Sequence, residues 1–385
     1  MLAVDGAELG VSEGNGFCTA AGSPRAGSMP NMSNLEKEPL ELVCPPDATR
    51  SLTVQVLTPR EVPLGGPRAM NVRRTLPQRG RTTIGAWCFA DHYGPDDVGT
   101  TGGMVVPPHP HTGLQTVSWL FEGEIEHRDS TGSHEVVRPG EVNLMTAGSG
   151  ISHSEVSTPE TTQLHGVQLW VALPDGSRNV LPFFEHAETT PVTIDDATVR
   201  VFAGSLPGVG HDPDHGSSVA VFSPLVGAQV ELPAGGEAWI DLDPAFEHGV
   251  LVDRGPVRVT IAALDDEADD DTGGADPLTV AGHGATLEWS QLGYLPVGHE
   301  GVRLTAADAP VRVLLIGGEP FGEEIVMWWN FIGRNHDEVA EFRRQWQADV
   351  IGRDNPDGRF GTVGGYDGAA LPAPELPTVR LKPRH

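Results

Sequence analysis

The sequence predicts an all-β protein that folds as two domains of the barrel or sandwich type. The chain has 385 residues, which is more than one ordinary domain of about 100–200 residues contains. Its 48 glycines and 33 prolines favour many turns and short elements over long helices. Short strand-like segments recur along most of the chain, and Gly, Pro or Asp-Gly turns separate them, as in β-sandwiches and barrels.

The first series of strand-like segments begins at Ser51 and defines the first predicted domain, residues 51–185. Its segments are SLTVQVL, TTIGAWCFADHY, LQTVSWLFEG, IEHRDSTG, HEVVRPGEVNLMTAG and HGVQLWVALP. The loop GPDDVGTTGG and a Pro- and Gly-rich stretch after Leu57 lie between them. This alternation of strand and turn signals is typical of an antiparallel β-domain.

A linker near Pro182–Thr190 precedes a second series of segments, which we assign to a second domain at residues 186–321. Its segments are VTIDDATVRVFAGS, SSVAVFSPLVGAQVEL, HGVLVDRGPVRVTIAAL, ATLEWSQLGYLPV and GVRLTAADAPVRVLLIGGEP. Residues 265–276 (DDEADDDTGGAD) insert an acidic run between two of these strands. We interpret the run as a solvated hairpin loop; the alternative, a weak calcium loop, lacks the spaced ligands of an EF-hand.

The two ends of the chain differ from the strand-rich middle. Residues 1–50 form a predicted disordered extension, because the first 33 residues are rich in Gly, Ala, Ser and Glu without periodicity. The sequence from Met32 reads like a natural start, so residues 1–31 stand apart from the predicted fold. Residues 322–385 form a predicted tail with one helix at about residues 336–350, where Val339, Phe342, Trp346 and Val350 follow helical spacing.

Charge and cysteine content restrict the class of protein. The formal net charge is −28, with 53 acidic and 25 basic residues, and such a surface disfavours direct nucleic-acid binding, which depends on Lys and Arg. Three cysteines (Cys18, Cys44 and Cys88) form no disulfide framework and no CxxC zinc motif. No apolar stretch approaches a membrane span of about 20 residues, and no secretory signal is recognisable. We therefore expect a cytoplasmic protein without membrane contact. We also expect a monomer, because two barrels in one chain already cover each other.

Four residues have the spacing of a metal site. His109 and His111 are separated by one residue in VVPPHPHTG, and His153 and Glu155 by one residue in SGISHSEVS. In an extended strand, residues i and i+2 point to the same face. Two such strands, paired or facing each other inside a barrel, would bring three imidazoles and a carboxylate to one ion. This donor set suits Fe(II), Mn, Ni, Cu or Zn.

These motifs resemble the cupin superfamily and, within it, the pirin family. The first cupin motif has a Gly, five residues and HxH, which corresponds here to Gly103, MVVPP and His109-Pro-His111. The second corresponds to GEVNLMTAGSGISHSE, residues 140–155, and the string TAGSGISHSE followed by LHGVQLWVALP is pirin-like. LLIGGEP and VMWWNF resemble the end of the second barrel and the following tail of bacterial pirins. The resemblance covers roughly residues 50–350.

The resemblance implies a bicupin, with two face-to-face cupin β-barrels and a single metal ion, usually iron, in the N-terminal barrel. The family's three histidine ligands and one glutamate ligand correspond to His109, His111, His153 and Glu155. Thr112 and Gln115 depart from the HPHRGFET string of many pirins, and we expect this to reduce the charge at the pocket mouth. The second barrel has no HxH or paired HxE motif, and His248, His283 and His299 are scattered and unmatched.

Two further residues, His92 and His165, belong to pirin-like strings without matching a ligand. His92 and His165 are interpreted as structural histidines, with a role in orienting a metal ligand as the alternative. Cys88 is interpreted as a small core residue.

The resemblance implies two functions of different classes. One is a quercetin 2,3-dioxygenase-like reaction, in which Fe(II) binds a flavonol or a related small molecule with O2, and Glu155 takes the substrate's hydroxyl proton while it remains a ligand. The other is a redox-sensing regulator that binds a transcription factor or a metabolic enzyme without essential catalysis. A storage bicupin without an active metal is disfavoured, because such a protein needs no set of four ligands.

Overall fold

A computed structural model describes residues 54–64, 70–78, 80–209, 217–261 and 284–384. The predicted N-terminal extension, Cys18, Cys44, His283 and the acidic insertion at residues 265–276 lie outside the described residues. The described residues form mainly strands, arranged as two β-barrels with one longer helix near the C-terminus. The predicted all-β bicupin fold with a C-terminal helix is therefore confirmed.

The first barrel consists of a seven-stranded and a four-stranded sheet. From edge to edge, the seven-stranded sheet contains β12 (Phe183–Glu188), β9 (Glu141–Thr146), β6 (Leu114–Glu122), β11 (Gln163–Ala172), β4 (Trp87–Asp97), β3 (Met70–Leu76) and β2 (Arg60–Leu64). The four-stranded sheet contains β5 (Val105–His111), β10 (Ile151–Ser157), β7 (Ile125–Asp129) and β8 (His134–Val137). A single helical turn, α1 (Val98–Thr101), connects β4 to β5.

The second barrel repeats this arrangement. Its seven-stranded sheet contains β1 (Gln55–Leu57), β20 (Leu292–Leu295), β17 (Glu247–Arg254), β22 (Val311–Gly318), β15 (Leu225–Leu232), β14 (Ala197–Gly204) and β13 (Val192–Ile194). Its four-stranded sheet contains β16 (Glu237–Asp241), β21 (Gly301–Ala306), β18 (Val257–Ile261) and β19 (Gly284–Leu287). In both four-stranded sheets the first strand in sequence lies at one edge and pairs with the last strand in sequence. Strands β16 and β21 are therefore the equivalents of β5 and β10.

Strands at both ends of the first domain differ from the predicted limits. Strand β1, which we placed in the first domain at residues 51–185, pairs with β20 of the second barrel. Its Leu57 is buried and packs in the apolar cluster between the barrels, so β1 also contributes to their interface. The predicted limit between residues 185 and 186 falls inside β12, which pairs with β9 of the first barrel.

The two seven-stranded sheets pack face to face through a shared apolar core. Trp119 of β6 stacks on Phe202 of β14, with 4.8 Å between the ring centroids. Trp87 of β4 donates its indole hydrogen towards the carbonyl oxygens of Val226 and Gly317, each 3.1 Å away. Buried aromatic rings whose N–H groups have partners are strong contacts in a protein core, so this interface holds the barrels as one body.

The interiors of the barrels differ at the place of the predicted metal site. In the second barrel, β16 and β21 bury Ala238, Ile240, Val302 and Leu304 in a continuous aliphatic core. In the first barrel, the apolar residues form two separate clusters. Polar side chains of β5 and β10 are buried in the same barrel.

The C-terminal tail covers the four-stranded sheet of the first barrel. It contains a hairpin of β23 (Val326–Trp328) and β24 (Phe331–Gly333), then α2 (His336–Trp346) and a π-helical turn (Gln347–Ile351). The Asn335 side chain caps α2 by accepting a hydrogen bond from the Glu338 backbone amide at 3.0 Å. Val339, Phe342 and Trp346 form the buried face of α2.

Close backbone contacts join this tail to the histidine-bearing strand. The amide of Leu371 donates to the carbonyl of Pro108 at 2.8 Å. Gly113 has φ +68°, and a Cβ at this position would lie 2.6 Å from the carbonyl oxygen of Ile332, so only glycine permits this approach.

Among the described residues, no helix has the length and apolar character that a membrane-spanning helix requires.

Candidate metal centre

Strands β5 and β10 pair antiparallel and bring the two sequence motifs together. In the register of this pair His109 lies opposite His153, and a β-bulge separates His153 from Glu155. Strand β5 is an edge strand, which explains how it accommodates three prolines, since proline has no N–H for a neighbouring strand. All four predicted residues are buried, with 6% of Glu155 exposed and less of the histidines.

The three histidines form one compact group. One ring nitrogen from each of His109, His111 and His153 lies within 4.8 Å of the others. Burial lowers the pKa of His109 to about 4. Burial, together with neighbouring imidazoles, holds the pKa values of His111 and His153 well below their usual value. The rings are therefore neutral near pH 7, as metal coordination requires.

Backbone carbonyls fix the tautomers of two of these rings. The Nδ1 atom of His109 lies 2.9 Å from the carbonyl oxygen of Pro107, and that of His111 lies 3.1 Å from the carbonyl oxygen of Asn330. Because a carbonyl only accepts, Nδ1 carries the hydrogen and Nε2 keeps its lone pair. This is the usual arrangement behind a metal-bound histidine.

His127 and Asp129 fix the third ring from behind. His127 Nε2 lies 3.1 Å from Asp129 Oδ2, and His127 Nδ1 lies 3.4 Å from His153 Nδ1. If His127 donates through Nε2, its Nδ1 accepts the Nδ1 hydrogen of His153, and the lone pair of His153 is again on Nε2. This Nε2 atom is buried and has no hydrogen-bond partner among the described residues, which fits a metal ligand.

Asp129 is suited to anchor this chain of hydrogen bonds. Its Oδ1 atom accepts from the Thr131 hydroxyl at 2.6 Å and from the backbone amides of Thr131 and Ser133 at 2.8 and 3.1 Å. Burial acts to raise the pKa of Asp129, but the hydrogen bonds from His127 and Thr131 outweigh it and the pKa lies below its usual value. The carboxylate is therefore charged and holds the His127 N–H.

Glu155 belongs to a second group that shares His153. Its carboxylate oxygen lies within 4.8 Å of ring nitrogens of His153 and His127. The Ser118 hydroxyl donates to Glu155 Oε1 at 2.8 Å. Burial raises the pKa of Glu155, and the hydrogen bond from Ser118 opposes the shift. The structure thus brings the four predicted residues to one cavity, although the carboxylate of Glu155 groups with His153 and His127 rather than with all three predicted histidines.

The cavity itself is small and mostly apolar. Its volume is about 20 Å³, enough for a water molecule or an ion. The four predicted residues line it together with Phe89, Met104, Val106, Gln168 and Trp170. The donor set of imidazoles and a carboxylate in a buried cavity suits a divalent transition metal.

Other residues singled out in the sequence lie away from this cavity. Thr112 and Gln115 are buried and do not line it, so the expected reduction of charge at a pocket mouth is wrong for these two positions. Gln115 instead donates to the Ala220 carbonyl of the second barrel at 2.8 Å. Cys88 is buried, and burial raises the pKa of its thiol to about 12, consistent with a core residue. His92 and His165 meet each other between the barrels.

Sequence reasoning missed His127 and Asp129. The only signal was their spacing in IEHRD, residues 125–129, where i and i+2 share a face of a strand. The structure shows that β7 pairs with β10, with Asp129 opposite His153 and His127 opposite Glu155. This cross-strand register, rather than the local spacing, brings them to the candidate site.

Comparisons with known proteins agree with the fold and the motifs. The Pirin family model matches residues 69–171, and the model of the pirin C-terminal cupin domain matches residues 227–352. A protein from Pseudomonas aeruginosa, named as a proposed quercetin 2,3-dioxygenase, is 38% identical over 84% of this chain and 91% of its own length. A pirin-like protein from Caulobacter vibrioides is 34% identical over 72% of this chain and 88% of its own length.

A solved structure shows the same architecture. The crystal structure of a quercetin 2,3-dioxygenase from Acinetobacter baumannii has a TM-score of 0.72 and 37% sequence identity, over 86% of this chain and 98% of that chain. The two regions matched by the family models include strands of both barrels, and the first of them contains β5 and β10. The chain belongs to the pirin family.

Proposed function

We propose that this protein is a metal-dependent dioxygenase that acts on a flavonol such as quercetin or on a related small molecule. The observation that carries the proposal is the convergence of three neutral imidazoles, each with its Nε2 lone pair free, beside a buried carboxylate. In the proposal His109, His111, His153 and Glu155 hold one ion, with Fe(II) as the first choice. Such an ion would supply Lewis acidity and redox chemistry with O2.

The protein's own residues would orient the ligands and move the proton. The carbonyls of Pro107 and Asn330 hold His109 and His111 by their Nδ1 hydrogens, while His127 holds His153. Glu155 would accept the proton of the flavonol 3-hydroxyl, and Ser118 would keep its carboxylate in place. The apolar walls, including Phe89 and Trp170, would exclude water and pack against an aromatic substrate.

Substrate binding requires the cavity to enlarge. Ligand pockets for molecules of drug size occupy about 300–1,000 Å³, whereas this cavity measures about 20 Å³. Met104 and Val106 belong to its apolar wall, and Met104 follows two glycines with positive φ, Gly102 and Gly103. We therefore place the movement that admits substrate in this segment between α1 and β5.

The test is O2 consumption by the Fe(II)-loaded protein over a panel of flavonols. The proposal expects flavonol-dependent uptake that disappears when the metal is removed by a chelator and returns when Fe(II) is added. His248→Ala serves as a control, because His248 is a buried histidine of the second barrel and lies outside the cavity. Absence of uptake at full metal occupancy with every flavonol would contradict the dioxygenase proposal.

The small cavity also supports a second candidate function. A metal-containing regulator needs room for an ion but not for a flavonol, and about 20 Å³ satisfies this. The net charge of −28 would favour a protein partner with a basic surface, such as a transcription factor or a metabolic enzyme. In this case flavonols cause no O2 uptake, and the affinity for the partner changes with the oxidation state of the bound iron.

A further inference from the structure

We propose that His92, His165 and Asp253 form a second divalent metal site, which joins the two barrels. The site is separate from the cavity in the first barrel, and the proposal does not rest on the dioxygenase function. It departs from the single ion that the family resemblance implies. The ligand would be a borderline divalent metal such as Zn²⁺ or Co²⁺, since two imidazoles and a carboxylate suit such ions.

The three side chains come from both barrels and meet between them. His92 lies in β4 and His165 in the neighbouring strand β11 of the first barrel, whereas Asp253 lies in β17 of the second barrel. All three are buried, with 1%, 7% and 3% of each residue exposed. A ligand held by all three would therefore connect the two seven-stranded sheets directly.

The three donor atoms are as close as the ligands of one ion. His92 Nε2 and His165 Nε2 lie 3.2 Å apart, and they lie 2.8 and 2.6 Å from the same oxygen, Asp253 Oδ1. Metal–ligand bonds of about 2.0–2.2 Å place neighbouring ligand atoms roughly 3 Å apart. One ion on the open side of this triangle can therefore contact all three atoms at normal bond lengths.

Partners behind the donors have the arrangement of metal ligands. His92 Nδ1 lies 2.9 Å from the Ser290 hydroxyl oxygen, which can accept the Nδ1 hydrogen and leave Nε2 for the ion. The other oxygen of Asp253 accepts from Arg312 Nε at 2.6 Å. Ligating histidines and carboxylates are held in this way by second hydrogen bonds.

The backbone is irregular at His165, Asp253 and Ser290. His165 lies in a β-bulge of the pairs that β11 forms with β4 and β6, and Asp253 lies in a bulge of the pair between β17 and β22. Bulges redirect side chains and are frequent beside functional sites. Ser290 has φ +62°, a conformation that non-glycine residues adopt rarely. Two bulges and one residue with positive φ in the same cluster are typical of a functional site.

The surrounding charges predict that this site is weaker than the cavity site. Arg312 shares the Asp253 carboxylate, and the cation competes with an ion for its charge. Arg73 lies nearby, with its guanidinium 4.1 Å from the Trp289 ring centroid, and that ring lies 6.0 Å from the His92 ring. Trp289 is 48% exposed, so the cluster lies close to the protein surface on this side.

The alternative is a purely hydrogen-bonded cluster in which Asp253 Oδ1 accepts an N–H from each imidazole. In that case Nε2 of His92 and Nε2 of His165, which lie 3.2 Å apart, would both carry a hydrogen and donate it to Asp253 Oδ1. The two alternatives differ in the number of metal ions that the protein binds, which makes a titration decisive.

The test is a titration of the chelator-stripped, full-length protein with Co²⁺, followed by equilibrium dialysis and visible absorption. We expect two equivalents in the wild type, one tight and one weaker. His165→Gln, which keeps an N–H donor for Asp253, and Asp253→Asn should each weaken the second equivalent by about tenfold or more and leave the first. His111→Ala should remove the tight equivalent alone, and His299→Gln, a buried histidine of the second barrel, should keep both.

Thermal unfolding gives a second readout that also tests the connection between the barrels. In the His111→Ala protein, added Zn²⁺ should raise Tm, because an ion that binds only the native state stabilises it. The rise should vanish in the double variant with His165→Gln, which decides the question even where Asp253→Asn does not fold. Binding of one equivalent by the wild type, or a second equivalent retained in His165→Gln, would overturn the proposal.

Discussion

The Nδ1 atoms of His153 and His127 lie 3.4 Å apart, so the two buried imidazoles share one hydrogen. Asp129 determines which of the two rings donates this hydrogen. Its carboxylate accepts a hydrogen bond from His127 Nε2, so His127 Nδ1 is left to accept from His153. Three side chains on the neighbouring strands β10 and β7 thereby determine which nitrogen of His153 faces the cavity. At His109 and His111, backbone carbonyls alone accept the Nδ1 hydrogen and leave Nε2 towards the cavity.

His127→Phe tests this hydrogen-bonded arrangement. The phenyl ring preserves the stacking on Phe184, whose ring centroid lies 4.4 Å from that of His127, but it cannot accept the His153 hydrogen. We expect metal affinity to fall by about 10–100-fold, the usual effect of losing an outer-shell partner. The measurement is the Kd for Co²⁺ of the stripped protein, with the exposed His134→Gln on β8 as the control. Unchanged affinity would contradict the arrangement, and complete loss of metal would make His127 a ligand.

His111→Ala tests the assignment of the metal ligands. The wild type should hold one tightly bound transition metal ion in the first barrel, and removal of one of four ligands should release most of it. Metal content of purified protein, measured by elemental analysis, is the readout. His248→Ala should leave the metal content unchanged, because His248 lies in the second barrel. Full metal content in the His111 variant would show that the ligand set is wrong.

The buried His248 predicts a pH dependence of stability. Burial lowers its pKa from 6.5 to about 4, with Asp243 opposing and His299 adding to the shift. When the pH falls below about 6.5 the unfolded chain takes up the proton first, so stability is lost progressively down to about pH 4. The shift corresponds to roughly 3 kcal/mol.

A difference measurement isolates this contribution. Urea unfolding of metal-free wild type and His248→Gln at about pH 7 and about pH 4.5 gives the free energy of unfolding at each pH. The variant should lose less stability than the wild type over this interval, because glutamine does not titrate. Equal losses in both proteins would show that His248 is not held neutral by the fold.

The sequence predicts what depends on local spacing and misses what depends on distant register. The i, i+2 pairs at His109 and His153 required only that their segments be strands, and the family motifs identified the barrels. His127 could not be recognised as a partner, since its role depends on the pairing of β7 with β10. Strand β1 was placed in the wrong barrel because nothing in SLTVQVL indicates that its partner is β20. Asp253 is likewise far in sequence from His92, and only the packing of the two sheets joins them.

Glu155→Gln separates the enzyme from the regulator. The substitution preserves shape and an oxygen donor, but it removes the charge and the ability to accept the substrate proton. Three imidazoles remain, so the metal site should be weaker and still fill with excess Fe(II). In the dioxygenase, turnover at matched metal occupancy should fall by about 10²–10⁴-fold, the usual contribution of a positioned base.

In the regulator the same substitution has no turnover to remove. It should instead change the redox behaviour of the iron and the affinity for a protein partner, because a neutral amide stabilises the oxidised ion less than a carboxylate does. The deciding measurement is O2 consumption of wild type and Glu155→Gln at equal iron content, with Ser118→Ala as a milder variant that retains the carboxylate but removes the hydrogen bond that orients it. We expect slow but measurable flavonol-dependent uptake in the wild type and an intermediate rate for Ser118→Ala. If the metal-loaded Glu155→Gln protein consumes O2 as fast as the wild type, Glu155 is not the base and the dioxygenase mechanism in this form is wrong.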